Sequence, residues 1–147
     1  MAPLTYRKTV FFLGLGGLLF SGYLSAVKLF TSTCALNEPC PYFLGLPACW
    51  YGFGMFLMIF SAALLSFFKV ISIRSTALSN TAVSFLGILF AVSFTIPEIG
   101  NLISENGTRY ALGLPTCAYG LIFYVAVFVL SLLALRKRGS SPTGPTI

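Results

Sequence analysis

The sequence contains no histidine and only three acidic residues among 147, namely Glu38, Glu98 and Glu105. Without histidine the chain has neither a histidine-centred catalytic triad nor a histidine metal site, and three scattered acids do not supply paired catalytic carboxylates. Charged residues make up only 8% of the chain, whereas a soluble domain carries about 25%. These shortages exclude a soluble enzyme of the usual acid–base or metal-dependent kinds.

Apolar residues fill the chain instead: 57% are hydrophobic, 16% are aromatic and the mean hydropathy is +0.93. Uninterrupted apolar segments occur near the length of about 20 residues that crosses a bilayer as a helix. We therefore predict an all-α fold, a bundle of four transmembrane helices within a single domain of residues 1–138, followed by a disordered cytoplasmic tail at 139–147. The predicted spans are residues 9–29, 48–68, 77–96 and 117–135.

A cleaved signal peptide is an alternative interpretation of the first span, with Arg7 and Lys8 before the apolar run and Ser25-Ala26 as the cleavage site. The run is longer than the 7 to 15 apolar residues that are typical of a signal peptide. It is also required as the partner of the third span in the internal repeat described below. The transmembrane interpretation is therefore favoured.

Basic residues predict the orientation of the spans. Seven of the nine precede the first span, separate the second from the third, or follow the fourth: Arg7, Lys8, Lys69, Arg74, Arg136, Lys137 and Arg138. Because positive residues concentrate on the cytoplasmic side, both termini are predicted to be cytoplasmic and the other two loops extracytoplasmic, in the inner (plasma) membrane. The net charge of +6 is then an orientation signal, and no nucleic-acid partner is expected.

All four cysteines fall on the predicted extracytoplasmic side. Cys34 and Cys40 lie in the first loop, while Cys49 and Cys117 lie where the second and fourth spans begin. Free cysteines that pack as small apolar residues would be scattered within the helices instead. The clustering therefore indicates an oxidising compartment in which thiols pair.

An internal repeat relates the two halves of the chain. Residues 44–52 read LGLPACWYG and residues 112–120 read LGLPTCAYG, with seven identities in nine positions. Upstream, GLLF at 17–20 is echoed by GILF at 87–90. Each half, about 9–68 and 77–135, is thus predicted to be a helical hairpin, and the halves are expected to be related by a pseudo-two-fold axis along the membrane normal. Cys49 and Cys117 then face each other.

The repeated motif places its cysteines in a distinctive local environment. Pro47 and Pro115 suit the first helical position, so Cys49 and Cys117 fall in the first turn. Free backbone N–H groups and the positive helix end stabilise a thiolate there, as in redox proteins. The alternative is a fixed disulfide that braces the bundle. Both interpretations require the two residues to lie close together.

Four cysteines allow three pairings. Cys34 with Cys40, and Cys49 with Cys117, is the favoured set, because the first two have no counterpart in the second half and the other two are repeat mates. A structural zinc site fits less well, since such sites usually have cysteines two to four residues apart and added histidines. No metal is therefore predicted.

Two further groups of residues lie near the predicted thiol pair. Lys28 and Glu98 occupy equivalent ends of the first and third spans, where they either pair or extend separately into the headgroup layer. Aromatic residues crowd the starts of the second and fourth spans; most suit an interfacial belt, but some can form the wall of a site for a planar ring. The candidate ring-binding residues are Trp50, Tyr51 and Tyr119.

Residues 17–24 read GLLFSGYL, a loop with Cys34 and Cys40 follows, and GLPACWYG at 45–52 leads into the second span. Residues 17–57 thereby resemble the first half of the vitamin K epoxide reductase family, which is similar in outline to the bacterial disulfide-forming protein DsbB. The resemblance implies a four-helix membrane bundle in which loop cysteines, here Cys34 and Cys40, shuttle electrons from a thioredoxin-like partner or exported thiol substrate. A membrane-embedded cysteine pair then exchanges them with a quinone.

The second half departs from that family's pattern. The family carries Cys-x-x-Cys at the start of its fourth helix, whereas this chain has Cys117 alone, and Cys49 is likewise single at the start of the second span. A pair split between two helices still permits disulfide exchange, which needs geometry and a thiolate rather than adjacency in sequence. The expected function is a quinone-linked thiol-disulfide oxidoreductase.

Two other classes of function remain open from the sequence. One is a non-enzymatic membrane protein, an assembly subunit or scaffold, whose disulfides brace a small bundle. The other is a carrier or channel for small solutes, for which the third span offers only uncharged polar residues: Asn80, Ser84, Ser93 and Thr95.

Overall fold

The computed structural model describes residues 3–33, 41–104 and 115–139 of the chain. Within them run four long helices, α1 (Pro3–Thr31), α2 (Ala48–Phe67), α3 (Ile73–Ile103) and α4 (Thr116–Gly139), and a small hairpin of β1 (Tyr42–Phe43) and β2 (Leu46–Pro47). Each helix is long and apolar enough to cross a membrane. The predicted four-helix transmembrane fold is thus confirmed at this level. The predicted tail lies outside the described residues except for Gly139, which ends α4.

Three of the four helices extend beyond the predicted spans, because the charged and polar residues at the ends of the apolar segments remain helical. The largest difference is in α3, which begins four residues before the prediction and continues through Pro97 to Ile103. Proline removes one backbone hydrogen bond, but transmembrane helices tolerate this because neighbouring groups compensate. The helix thus continues past Ile96, where the predicted span ends.

Local sequence explains where α2 ends and α3 begins. Lys69 adopts a left-handed conformation (φ 60°), and its N–H donates to the Ser66 carbonyl while the Val70 N–H donates to the Leu65 carbonyl. This pair of bonds is a Schellman motif, which satisfies the last carbonyls of a helix. Ser72 then caps α3 by accepting a hydrogen bond from the Ser75 N–H at 3.1 Å.

Helix α1 packs chiefly against α2, and α3 chiefly against α4, with smaller contacts between α2 and α3 and between α1 and α4. Ser25, near the end of α1, bonds to the first turn of α2. Tyr6, near the start of α1, contacts Ser131 late in α4. Neighbouring helices in these two contacts therefore run in opposite directions. We call the end at which α2 and α4 begin the cysteine end, after Cys49 and Cys117.

The closest helix contacts occur at two glycines of the repeated sequence. A Cβ added to Gly17 would overlap the ring of Phe56, and one added to Gly87 would lie 2.6 Å from the ring of Tyr124. Gly17 corresponds to Gly87 in the GLLF/GILF alignment, and Phe56 and Tyr124 each stand seven residues after the repeated cysteine. Corresponding positions of the two halves therefore make corresponding contacts.

Polar side chains inside the bundle lie mainly toward the end opposite the cysteines. The Tyr6 hydroxyl and Ser131 Oγ are hydrogen-bonded at 3.0 Å and buried, and the buried Ser84 hydroxyl donates to the backbone carbonyl of Asn80 in its own helix. Of the polar residues noted in the third span, Asn80, Ser84 and Thr95 are buried, whereas Ser93 is exposed.

Replacing either contact glycine by alanine is expected to destabilise the bundle. Phe56 and Tyr124 are buried and stacked on each other, so Gly17→Ala and Gly87→Ala should each lower the free energy of unfolding by about 1–3 kcal/mol, as overpacking does. Gly54→Ala is the matched control, because its Cβ would meet nothing within 4 Å and a helical alanine gains about 0.5–1 kcal/mol over glycine. Unfolding in mixed dodecyl sulfate micelles measures the difference. Equal stability of all three variants would contradict the close contact.

Candidate functional site: a cavity that both helix-start cysteines line

The starts of α2 and α4 place their cysteines as the repeat predicts, with a shift of one residue. Pro47 and Pro115 each precede the helix rather than occupying its first position, since α2 begins at Ala48 and α4 at Thr116. Cys49 and Cys117 are thus the second residues of their helices and lie within the first turn. This is the position in which a thiolate meets free backbone N–H groups.

Neighbouring segments hold the first turn of α2 in place. The Ser25 hydroxyl of α1 donates to the Cys49 carbonyl at 3.2 Å, and the Ala48 N–H donates to the Pro41 carbonyl at 3.0 Å. At the start of α4, the Ala118 N–H donates to the Pro115 carbonyl at 2.9 Å. The backbone that carries Cys49 is therefore tied to α1 through Ser25 and to the start of the hairpin segment through Pro41.

A cavity of about 60 Å³ lies between the four helices at the cysteine end, and both Cys49 and Cys117 line it. Its surface is almost wholly apolar and all four helices contribute to it. Most of its lining consists of residues at corresponding positions of the two halves: Cys49 with Cys117, Gly52 with Gly120, Phe56 with Tyr124, and Phe20 with Phe90.

Two stacked aromatic rings form one wall of the cavity. Phe56 and Tyr124 have ring centroids 4.3 Å apart and planes 9° apart, and both side chains are buried. The Tyr124 hydroxyl donates to the Gly52 carbonyl of α2 at 3.2 Å. Because Phe56 has no hydroxyl and the Tyr124 hydrogen is donated to Gly52, this wall has a single hydroxyl oxygen, on the α4 side, that can accept a hydrogen bond.

The two thiols share this cavity without being bonded to each other. Among the residues that the structure describes, Cys49 and Cys117 are the only cysteines, both are half-buried, and no disulfide joins them. Both cysteines thus line one cavity, but the predicted Cys49–Cys117 disulfide is not formed here. The predicted loop pair, Cys34 and Cys40, lies outside the described residues.

The aromatic residues predicted to bind a ring lie beside the cavity rather than along it. Trp50 lines a separate surface groove between α1 and α2. Tyr51 and Tyr119 pack against cavity residues, with ring centroids 5.5 Å from Phe90 and 6.2 Å from Phe20 respectively. A ring-binding role for these three residues stays a prediction.

Lys28, predicted either to pair with Glu98 or to extend into the headgroup layer, turns back toward its own helix end. Its ammonium group donates to the Ser32 carbonyl at 3.0 Å and lies 5.4 Å from the centroid of the Tyr42 ring. Within the described residues, no three Cys, Asp or Glu side chains converge on a possible metal position.

Several lining residues were not singled out as site residues from the sequence. They include Phe56 of α2 and Tyr124 of α4, and Ser21 and Leu24 of α1. Their spacing carried a usable signal, because Phe56 and Tyr124 stand seven residues after Cys49 and Cys117, which is two helical turns along the same face.

A trivalent arsenical that bridges two nearby thiols tests whether Cys49 and Cys117 share one site. In the reduced Cys34→Ser/Cys40→Ser variant, phenylarsine oxide should attach once per chain, because both remaining thiols line one small cavity. Adding Cys117→Ser should abolish the attachment while leaving Cys49 alkylatable by a maleimide. Intact mass spectrometry measures both products. Two arsenicals per chain, or none, would show that the sulfur atoms are out of bridging reach.

Comparison of the chain with models of protein families, with curated proteins and with solved structures finds no match. What the site can do therefore follows from its own residues: two half-buried thiols at helix starts, an apolar cavity between four helices, and one tyrosine hydroxyl beside it.

Proposed function

We propose that the protein is an integral membrane thiol-disulfide oxidoreductase that passes electrons from an extracytoplasmic dithiol to a membrane quinone. The observation that carries the proposal is that Cys49 and Cys117, which begin different helices, line the same cavity. Lining one cavity places the two thiols in the same site, and a helix N-terminus favours the thiolate form that disulfide exchange needs. The resemblance of residues 17–57 to the vitamin K epoxide reductase family supports the same chemistry.

The fold that we propose consists of two tandem hairpins, α1–α2 and α3–α4, in a plasma membrane, with both termini cytoplasmic and the cysteine end extracytoplasmic. The stronger packing of α1 on α2 and of α3 on α4 supports this arrangement. So do the corresponding contacts of Gly17 with Phe56 and of Gly87 with Tyr124. The distribution of basic residues supports the sidedness.

Electron transfer begins at the loop cysteines. A thiolate of a thioredoxin-like partner, or of an exported thiol substrate, attacks the Cys34–Cys40 disulfide, and the partner's second thiol completes its own disulfide. Cys34 and Cys40 are thereby reduced to two thiols. A Cys34 or Cys40 thiolate next attacks a Cys49–Cys117 disulfide, so the loop pair is reoxidised and the helix-start pair becomes two thiols. Cys40 directly precedes Pro41, whose carbonyl bonds to the first residue of α2.

The helix-start cysteines complete the cycle. A bound quinone would accept two electrons and two protons from the Cys49 and Cys117 thiols as these re-form their disulfide. The helix starts favour the thiolate forms, and the apolar walls keep bulk water away from the sulfur atoms. The Tyr124 hydroxyl donates its single hydrogen to the Gly52 carbonyl, so its oxygen can accept a hydrogen bond from a hydroxyl group of the reduced ring. The product of a full cycle is a disulfide in the partner.

The walls of the cavity suit a planar apolar ring, but its volume does not suit one without rearrangement. It measures about 60 Å³, whereas an apolar cavity that takes up benzene in another protein has roughly 150 Å³. Phe20 and Phe90 are half-buried and line opposite halves of the site. Rotation of Phe20 is the simplest way to admit a ring, because Phe90 is packed against Phe43 and Phe94.

The sidedness can be tested with single cysteines in a background from which the four native cysteines have been replaced by serine. Val70→Cys lies in the turn between α2 and α3 and Ser32→Cys lies just after α1, and both positions are exposed. In intact cells, a membrane-impermeant maleimide should label Ser32→Cys only, because the termini are cytoplasmic. Val70→Cys should require permeabilisation. The reverse pattern would contradict the proposed orientation.

Thiol trapping tests the redox activity. After reduction of the purified protein and addition of a short-chain quinone, we expect Cys49 and Cys117 to be oxidised to a disulfide in wild type and equally in Cys34→Ser/Cys40→Ser. Transfer from a reduced thioredoxin-like partner to the quinone should need all four cysteines. Mass-tagged maleimides and the absorbance of the quinone measure the two steps.

The matched controls are Cys49→Ser and Cys117→Ser, each made in the variant that lacks the loop pair. Each should eliminate quinone-dependent disulfide formation, because a single thiol cannot close the intramolecular bond. If Cys49 and Cys117 stay oxidised under all reducing conditions, or never respond to quinone, the protein is instead a non-enzymatic membrane protein braced by its cysteines.

A further inference from the structure

The β-hairpin at the cysteine end exposes a large apolar surface that no other described residue covers. Tyr42 is 57% exposed, Leu44 84% and Leu46 43%. Residues 41–47, PYFLGLP, contain no charged side chain. Because Phe43 pairs with Leu46 and Tyr42 with Pro47, Tyr42 and Leu46 lie on opposite faces of the hairpin, with Leu44 at its tip. Large apolar side chains exposed on both faces and at the tip mark a segment that meets lipid or another molecule.

The turn of the hairpin holds its most exposed leucine in a conformation that leucine rarely adopts. Leu44 has φ 50° and Gly45 has φ 84°, the two positive values that characterise a type I′ turn. Such turns favour Asn-Gly, because a Cβ-branched or bulky side chain is strained at positive φ. Backbone geometry therefore gives no reason for a leucine at position 44, whereas contact with an apolar environment does.

The position of the hairpin along the bundle indicates which environment it meets. The Phe43 ring lies 5.4 Å from that of Tyr51, in the first turn of α2, and 5.5 Å from that of Phe90 in α3. The Tyr51 hydroxyl also donates to the Phe43 carbonyl. With 20 residues, α2 is about 30 Å long, which matches the hydrocarbon thickness of a bilayer. The hairpin thus lies beside the bundle, level with the edge of the hydrocarbon layer.

We propose that the tip of this hairpin, Leu44 with Tyr42 and Leu46, inserts into the acyl-chain boundary of the membrane leaflet at the cysteine end. Its surface is continuous with the lipid-facing sides of α2 and α3 through the contacts of Phe43. The Lys28 ammonium group over the Tyr42 ring lies where anionic headgroups would meet it. Insertion holds Phe43 against Phe90, which lines the cavity, and so anchors one side of the cavity mouth. The proposal is independent of any cysteine chemistry.

Tryptophan fluorescence measures the insertion directly, because Trp50 is the only tryptophan in the chain. In the Trp50→Phe/Leu44→Trp variant, reconstituted into phosphatidylcholine vesicles, emission should be blue-shifted. Lipids brominated near the headgroup end of the acyl chain should quench it most. Trp50→Phe/Leu57→Trp is the matched control, since Leu57 is an exposed residue further along α2, and a tryptophan there should be quenched most by deeper bromines. A red-shifted emission at position 44, quenched by aqueous iodide and not by brominated lipid, would overturn the proposal.

A second pair of variants separates insertion from turn geometry. Leu44→Asn improves the type I′ turn but removes the apolar side chain, whereas Leu44→Met keeps an apolar side chain of similar size. If the tip is in lipid, Leu44→Asn should speed hydrogen exchange of the hairpin amides in vesicles by about tenfold or more, and Leu44→Met should leave it unchanged within about threefold. Slower exchange in Leu44→Asn than in wild type would show that the tip is in water.

Discussion

Two glycine–aromatic contacts and the ring stack between them determine how the rest of the bundle is arranged. Gly17 admits the ring of Phe56, Gly87 admits that of Tyr124, and the two rings stack at 4.3 Å. Within a bilayer the hydrophobic effect does not drive helices together, so such close packing has to hold them. The stack lies two helical turns beyond the starts of α2 and α4. It therefore also forms a wall of the cavity that the two cysteines line.

The cavity combines near-symmetry of position with differences in chemistry between its two halves. Corresponding residues of the two halves line it, including both cysteines, yet Tyr124 offers a hydroxyl where its counterpart Phe56 offers none. Ser25 likewise bonds to the carbonyl of Cys49. The proposed redox pair is therefore symmetric in position but not in its surroundings, so the proposed ring ligand would meet different groups on the α2 and α4 sides.

Hydrogen bonds join the hairpin segment to the first turn of α2 at the cysteine end. The Pro41 carbonyl accepts from Ala48, and the Tyr51 hydroxyl donates to the Phe43 carbonyl. Phe43 in turn packs on Phe90, a cavity residue. An anchored hairpin tip would steady the cavity mouth during the proposed exchange with Cys34 and Cys40.

The sequence by itself determined the four helices, because apolar length near 20 residues and the scarcity of charge leave no other membrane-spanning structure. It also determined that Cys49 and Cys117 start helices, since the repeated Pro-x-Cys motif is a local signal. Which side chains line the cavity was decided only by tertiary structure. In helices that are apolar on every side, hydrophobic periodicity does not distinguish the faces toward lipid from the faces toward the bundle. Phe56 and Tyr124 are buried because Gly17 and Gly87, on other helices, leave room for their rings.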